Sequence, residues 1–339
     1  MSDQIVNVGL IGAGRIGMLH AEHLACRLPE AHLRMVADVN GAAAQGCAQR
    51  FRIPESAADY RRVLDHPGIQ AVVICSSTDT HAQLIEEAAA AGKHIFCEKP
   101  IDHDLGRIDR ALAAVKRAGV LLQIGFNRRF DANFRRVRQA VAEGEIGVPH
   151  QLHIVSRDPA PPPLEYIRKS GGIFADMTIH DFDMARFLIG GEVEEIYAQG
   201  GVRIDPAIGE AGDLDTVVIM LKFTNGVLGI IENSRQAIYG YDQRAEVFGS
   251  KGAIRVDNNF PNTATVSGAS AIYHDLPLNF FMDRYVESYL LEMRLFLRAV
   301  LSGGTSPVPG EEGRIPVVMG QAARRSWKEN RPVRLAEIG

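Results

Sequence analysis

Residues 8–17 read VGLIGAGRIG, an apolar run that passes straight into three glycines, Gly12, Gly14 and Gly17, spaced G-x-G-x-x-G. At the end of a strand and the start of a helix each glycine has its own task. These are a tight turn, close approach of backbone to a pyrophosphate, and close packing of helix on strand. The helix N-terminus then attracts the phosphates. Working outward, IVNVGLIG, HLRMVADV, AVVICSS, KHIFCEK and VLLQIGF are short runs apolar on both faces, as buried parallel strands are. Helical patterns alternate with them: RIGMLHAEHLACRL, THAQLIEEAAAAG and DLGRIDRALAAVKRAG, the last two closing on glycine. The alternation predicts an α/β domain over residues 1–124, a Rossmann doubly wound parallel sheet. The second strand ends in VADVN and sets Asp38 21 residues beyond Gly17. A carboxylate there accepts hydrogen bonds from the adenosine ribose hydroxyls and repels a 2′-phosphate, so the cofactor expected is NAD.

Beyond residue 125 the strands lengthen: QLHIVSRD, EEIYAQGGVRI, DTVVIMLKFTNGVLGIIENS and AEVFGSKGAIRV. They predict a second, α+β domain over residues 125–339 with a large, mostly antiparallel sheet. Asn225-Gly226 in TNG suits a type I′ hairpin turn, which needs positive φ at both central residues. In DTVVIMLKF, Val217, Ile219, Leu221 and Phe223 make one face, yet Val218 and Met220 on the other are also apolar. A sheet apolar on both sides needs two covers. One is a helix layer; the other is either a second subunit or further helices of the same chain. Amphipathic helices are expected over residues 283–303 and in EEGRIPVVMGQAARRSWKEN, and APPP at 160–163 reads as a stiff loop.

Composition narrows the partners. Charged residues make up 23% and net charge is −4, which favours neither nucleic acid nor an anionic membrane. The run NRRFDANFRRVR at 127–138 reads as a solvated helix face. Cys26, Cys47, Cys75 and Cys97 lack CxxC spacing and read as reduced, mostly buried thiols of a cytoplasmic protein. MSDQIVNVGLIG has no basic n-region, and no apolar run approaches the roughly 18 residues that span a bilayer, so a soluble intracellular protein is expected.

The chemistry should sit in two places. FCEKP ends a predicted parallel strand, where ligands of such sheets bind, so Lys99 is expected in the crevice beside the nicotinamide. SGGIFADMTIHDFDMAR, residues 170–186, reads as one apolar helix that nevertheless carries Asp176, His180, Asp181 and Asp183. At about 100° per residue, Asp176, His180 and Asp183 fall within about 60° of one another. Histidine suits removal of a hydroxyl proton, and a carboxylate one turn away can orient it or bind a substrate hydroxyl. A metal pair and a structural capping or salt-bridge set are the rival readings of Asp176 and His180. No third metal ligand at characteristic spacing appears, and none is expected.

GAGRIG, EKP and DMTIHDFDMAR together resemble the Gfo/Idh/MocA oxidoreductases, and the likeness runs over nearly the whole chain, including GFNRRFD at 125–131 and SRDPAPPPLEYIRKSGGIF at 156–174. The resemblance implies that Lys99, Asp176 and His180 are the catalytic set, with a cis peptide before Pro100. It also implies a cyclitol or sugar-ring substrate and a homotetramer built through the C-terminal sheets. Within the family the chain looks most like the members that oxidise myo-inositol. Scyllo-inositol, another cyclitol or a pyranose remains an alternative substrate, and a non-catalytic cofactor sensor is a further alternative. Cofactor contacts are expected from Gly12, Gly14, Arg15, Ile16, Gly17, Asp38, Ser76, Thr78, His81, Glu98 and Lys99. Substrate contacts are expected from Lys99, Arg129, Asp158, Asp176, His180 and Tyr239.

Overall fold

A computed structural model describes residues 5–339, so residues 1–4 of the N-terminal reading lie outside the described residues. The chain makes two compact units. One comprises the residues up to Asn127 together with Glu287–Ile315; the other comprises Arg128–Val286 and Pro316–Gly339.

In the first unit six strands, β1 (Val6–Ile11), β2 (Ala31–Ala37), β3 (Glu55–Ala57), β4 (Ala71–Ile74), β5 (His94–Glu98) and β6 (Leu122–Gly125), form one sheet in the order β3-β2-β1-β4-β5-β6. Every pairing is parallel. The order reverses between β1 and β4, which opens a crevice at their carboxyl ends. The helices are α1 (Arg15–Glu22), α2 (Gly41–Phe51), α3 (Arg61–Leu64), α4 (Thr78–Ala90) and α5 (Leu105–Ala118). Local chemistry fixes their ends. The Asn40 side chain accepts from Ala42 N and Ala43 N at the start of α2, Asp104 accepts from Arg107 N at the start of α5, and Gly119 (φ 66°) closes α5 in the left-handed region. The expected boundary at 124 cuts through β6. Residues 287–315 return because Leu290, Met293, Phe296 and Leu297 fill the core that Val8, Leu10 and Phe96 also line.

The second unit holds β7 (Pro149–Arg157), β8 (Val193–Gly201), β9 (Thr216–Phe223), β10 (Leu228–Ser234), β11 (Asp242–Gly249) and β12 (Gly252–Val256). A small hairpin follows, β13 (Thr265–Ser267) with β14 (Ile272–His274), and β15 (Val333–Arg334) comes near the C-terminus. The large sheet runs β12-β11-β7-β10-β9-β8-β15, with β7 and β10 parallel and its other pairs antiparallel. Its helices are α6 (Ala132–Ala142), α7 (Leu164–Ile167), α8 (Ile173–Asp176), α9 (Thr178–Ile189), α10 (Pro206–Glu210) and α11 (Phe281–Arg284). Then come α12 (Val286–Ser302) and α13 (Gly310–Glu329), so the helix expected over 283–303 is two, parted at Tyr285.

Three further expectations are corrected. The stretch 170–186 is not one helix. Gly171 (φ 83°) and Gly172 (φ 86°) stand in the left-handed region, helix begins only at Ile173, and α8 gives way to α9 at Met177 (φ −93°, ψ −59°). The β9–β10 turn is not type I′. Gly226 has φ 87° but Asn225 is not at positive φ, and Gly226 N donates to Phe223 O at 3.0 Å. Nor is NRRFDANFRRVR a solvated face throughout. Arg128 is 6% exposed and Arg129 is largely buried, whereas Arg135 and Arg136 do face water.

The two-faced strand is resolved in one respect. Val217, Ile219, Leu221 and Phe223 are buried, but Val218 (47% exposed) and Met220 (53%) are open, as are Leu228 and Ile230 on β10 and Phe248 on β11. No helix of the described residues covers that face.

Candidate active site

The glycines of the first unit divide their tasks as the motif requires. At Gly12 (φ 100°) a Cβ would lie 2.6 Å from the Cys75 carbonyl, and at Gly17 it would lie 2.0 Å from Gly12 O. At Gly14 a Cβ would meet no neighbouring atom within 4 Å, so backbone is presented to open space. Gly14 is also the N-cap of α1, and no side chain caps that helix. Its first-turn N–H groups can therefore receive a pyrophosphate. Asp38, at the end of β2, accepts from Ala13 N at 2.7 Å and from Asn40 N at 2.8 Å. One bond on each oxygen leaves lone pairs for ribose hydroxyls while tying the carboxylate to the glycine turn. These residues fit NAD.

Other expected contacts gather at the ends of β4 and β5, but part of them is taken up by the chain. Ser76 Oγ pairs with Thr80 Oγ1 at 2.7 Å, and Thr78 opens α4. His81 is 2% exposed, with Nδ1 2.8 Å from Pro100 O and Nε2 3.0 Å from Ser76 O. Burial lowers its pKa below the usual histidine value. Glu98 meets His20 Nε2 at 2.8 Å. Lys99 is half-buried, and its peptide to Pro100 is cis, as the resemblance implies.

In the second unit the stripe separates into two kinds of residue. Asp181 is fully buried, accepting from Arg128 Nη1 and from Asn233 Nδ2, each at 2.8 Å. Asp183 is held by Arg129 through Nε (2.9 Å to Oδ2) and Nη2 (2.6 Å to Oδ1). Both are paired structural anchors for α9, which lies against β7 and β10. Asp181 and Asp183 are thus held in ion pairs, and Asp176 also forms one, with Arg235. Asp176 and the half-buried His180 lie on either side of the break at Met177. Asp176 Oδ1 accepts from Tyr166 OH at 2.7 Å, and Oδ2 is 3.3 Å from Arg235 Nη1. Arg235, 0% exposed, also reaches Asp213 Oδ2 at 3.1 Å.

Asp158 follows β7 in the same region. Burial, and then the nearby Asp176, push its pKa up to about 6, against the pull of Arg235 and Arg128. Tyr239 OH donates to Asp242 Oδ2 at 2.5 Å and accepts from Arg157 Nη1 at 2.8 Å. Sequence reasoning missed Tyr166, Asp213 and Arg235. Tyr166 lay inside a quoted motif, but nothing local marks Arg235 as buried between two carboxylates.

A doubly wound sheet with this glycine turn defines a dinucleotide-binding protein. Residues 6–126 match the oxidoreductase family with an NAD-binding Rossmann fold, and residues 134–255 match the Gfo/Idh/MocA C-terminal domain. The chain belongs to the Gfo/Idh/MocA family. Myo-inositol 2-dehydrogenase of Thermotoga maritima is 47% identical over 98% of this chain and 99% of its own. Among solved structures, a myo-inositol dehydrogenase from Corynebacterium glutamicum is 40% identical, with a TM-score of 0.92 over 98% of this chain and 99% of that one. A scyllo-inositol dehydrogenase from Lactobacillus casei, with bound NAD(H) and scyllo-inositol, is 29% identical, with a TM-score of 0.92 over 98% of this chain and 100% of that one.

Proposed function

We propose that this protein oxidises one secondary hydroxyl of myo-inositol to the ketone. Bound NAD supplies the hydride acceptor. Lys99 holds the reacting hydroxyl and stabilises the negative charge that develops on its oxygen. His180 takes the hydroxyl proton, and the ring C–H leaves as hydride, so a secondary alcohol becomes a ketone with release of one proton overall. Asp176, fixed by Tyr166 and Arg235, orients His180 or accepts from a second hydroxyl of the ring. The observation that carries this reading is the Asp176 carboxylate, held by Tyr166 OH and Arg235 at the end of α8, with Asp158, whose N–H is tied to Ser234 O, just past β7. Adjacent carboxylate acceptors suit a neutral ligand rich in hydroxyl donors and disfavour an anionic one. Arg129 and Tyr239, engaged with Asp183 and Asp242, are assigned to holding the surrounding strands and helices rather than to the ring.

Scyllo-inositol is the second reading, because a neighbour of the same fold holds it. The test follows reduced-nicotinamide absorbance with NAD and NADP against inositol stereoisomers and aldoses. Expected is the highest kcat/KM with myo-inositol and NAD, since Asp38 repels a 2′-phosphate. A larger value with scyllo-inositol would replace the substrate but keep the chemistry, and equal use of NADP would undo the role of Asp38.

The open face of the second sheet, with Val218, Met220, Leu228, Ile230 and Phe248, fits a homotetramer built through these sheets. Met220→Glu should place charges in that interface and yield smaller species by light scattering. An unchanged mass for Met220→Glu would count against the assignment.

A further inference from the structure

We infer that two buried histidines, His81 and His20, are positioning residues for Lys99, each holding the residue on one side of it in the chain; the inference rests on Lys99 acting in the oxidation proposed above.

His81, from α4, brings Nδ1 to 2.8 Å from the carbonyl oxygen of Pro100 and Nε2 to 3.0 Å from that of Ser76. Both contacts are acceptors, and a neutral imidazole has a single N–H to give. We place that proton on Nδ1, toward Pro100, the nearer of the two carbonyls. His20, from α1, is 0% exposed and meets Glu98 Oε1 through Nε2 at 2.8 Å. Its ring packs edge-on against Phe96 (5.2 Å between centroids) and Tyr289 (5.9 Å), which blocks ring rotation. The Glu98 carboxylate lies against Gly125 of β6, where a Cβ would stand 3.0 Å from Oε2. Glycine there makes room for the carboxylate beside the strand.

Lys99 thus sits between two tied neighbours. Glu98 is tied to the helix that follows the glycine turn, and Pro100 to the helix that follows β4. A lysine amine rides on a four-carbon stem with many rotamers, so its placement depends on how firmly the backbone beneath it is fixed. Both ring nitrogens of His81 face main-chain carbonyls, so its part in the site is to anchor this turn rather than to touch a cofactor.

Three substitutions separate this role from plain core packing. His81→Asn puts an amide N–H near the Nδ1 position and keeps the bond to Pro100. His81→Gln reaches the Nε2 position and places a donor on Ser76 O instead of Pro100, and His81→Leu donates to neither. The readouts are kcat at saturating NAD and polyol, Kd for NAD by fluorescence titration, and the rate at which acetic anhydride acetylates Lys99, followed by mass spectrometry.

A displacement of about 1 Å can cost on the order of 10²-fold in rate, so kcat should fall roughly 10- to 100-fold in the Leu and Gln variants. The Asn variant should stay within about threefold of the unmodified protein, NAD affinity should change by less than about threefold in all three, and Lys99 labelling should follow kcat. His20→Gln should likewise outperform His20→Leu. Equal kcat in the Asn and Gln variants of His81, or a Leu variant with unaltered kcat and labelling, would overturn the inference. If the Leu variant does not fold, the Asn–Gln comparison decides. If the unmodified protein oxidises no polyol, the functional reading fails, and Lys99 labelling across the same variants still tests the brace.

Discussion

Replacing His180 by alanine should lower kcat by about 10²–10⁴-fold, the usual cost of losing a general base, while leaving NAD affinity near that of the unmodified protein. The separation is expected because the glycine turn, Asp38 and α1 belong to the first unit, whereas His180 is carried by α9 of the second. Lys99→Ala should do comparable damage by a different route, since the developing alkoxide would lose its cationic partner. The double variant should lose less than the product of the two single effects, because residues that act on one proton and one oxygen work as a unit. Steady-state kinetics at saturating polyol and calorimetric titration of NAD into each variant make the measurement. Near-normal kcat in His180→Ala would place the base elsewhere and leave α9 a purely structural helix.

How much of this was readable in the sequence depends on the range of the interaction. The parallel sheet was readable because its strands are buried on both faces and so appear as unbroken apolar runs such as AVVI of β4. The glycine turn was readable because its spacing is short and fixed; Gly17 meets Gly12 of its own turn, although the neighbour that demands Gly12 is Cys75, just past β4. An amphipathic pattern at residues 287–302 shows that one helix face is buried, but not that Met293 and Phe296 join the core of the first sheet. The carboxylate stripe shows the same limit. Angular spacing assumes a continuous helix, and the break at Met177 between Asp176 and His180 defeats that assumption. Spacing also could not sort Asp176 from Asp181 and Asp183. The sorting is done by Arg128, Arg129, Asn233 and Arg235, which lie more than 45 residues away in the chain. Exposure of an arginine run is likewise set by its partners, which is why Arg128 and Arg129 are buried in a stretch that reads as solvated.

Arg235→Met should be among the most damaging changes in the second unit, destabilising the fold by about 3–5 kcal/mol, because it leaves two largely buried carboxylates without the fully buried cation they share. In the intact protein the guanidinium bridges Asp176 Oδ2 at 3.3 Å and Asp213 Oδ2 at 3.1 Å. Asp213 Oδ1 meanwhile accepts from Ile173 N, so the same pairing helps to start α8. Arg235→Lys keeps the charge but lacks the planar fork that reaches both partners, and should recover only part of the loss. Adding Asp213→Asn to Arg235→Met removes one of the stranded charges and should return some stability, a coupling that a double-mutant cycle reads directly. The pH dependence has a definite sign. Asp158 is already raised to about 6 with Arg235 pulling it down, so loss of Arg235 moves it higher. A carboxyl that holds its proton more tightly folded than unfolded favours the folded state at low pH and costs stability as pH rises through its folded pKa. The deficit of Arg235→Met should therefore be smaller at pH 5 than at pH 8 when urea unfolding is compared at the two values. Loss of less than about 1 kcal/mol would show that water or a rearranged side chain takes over from the guanidinium, and that Asp176 is positioned without it.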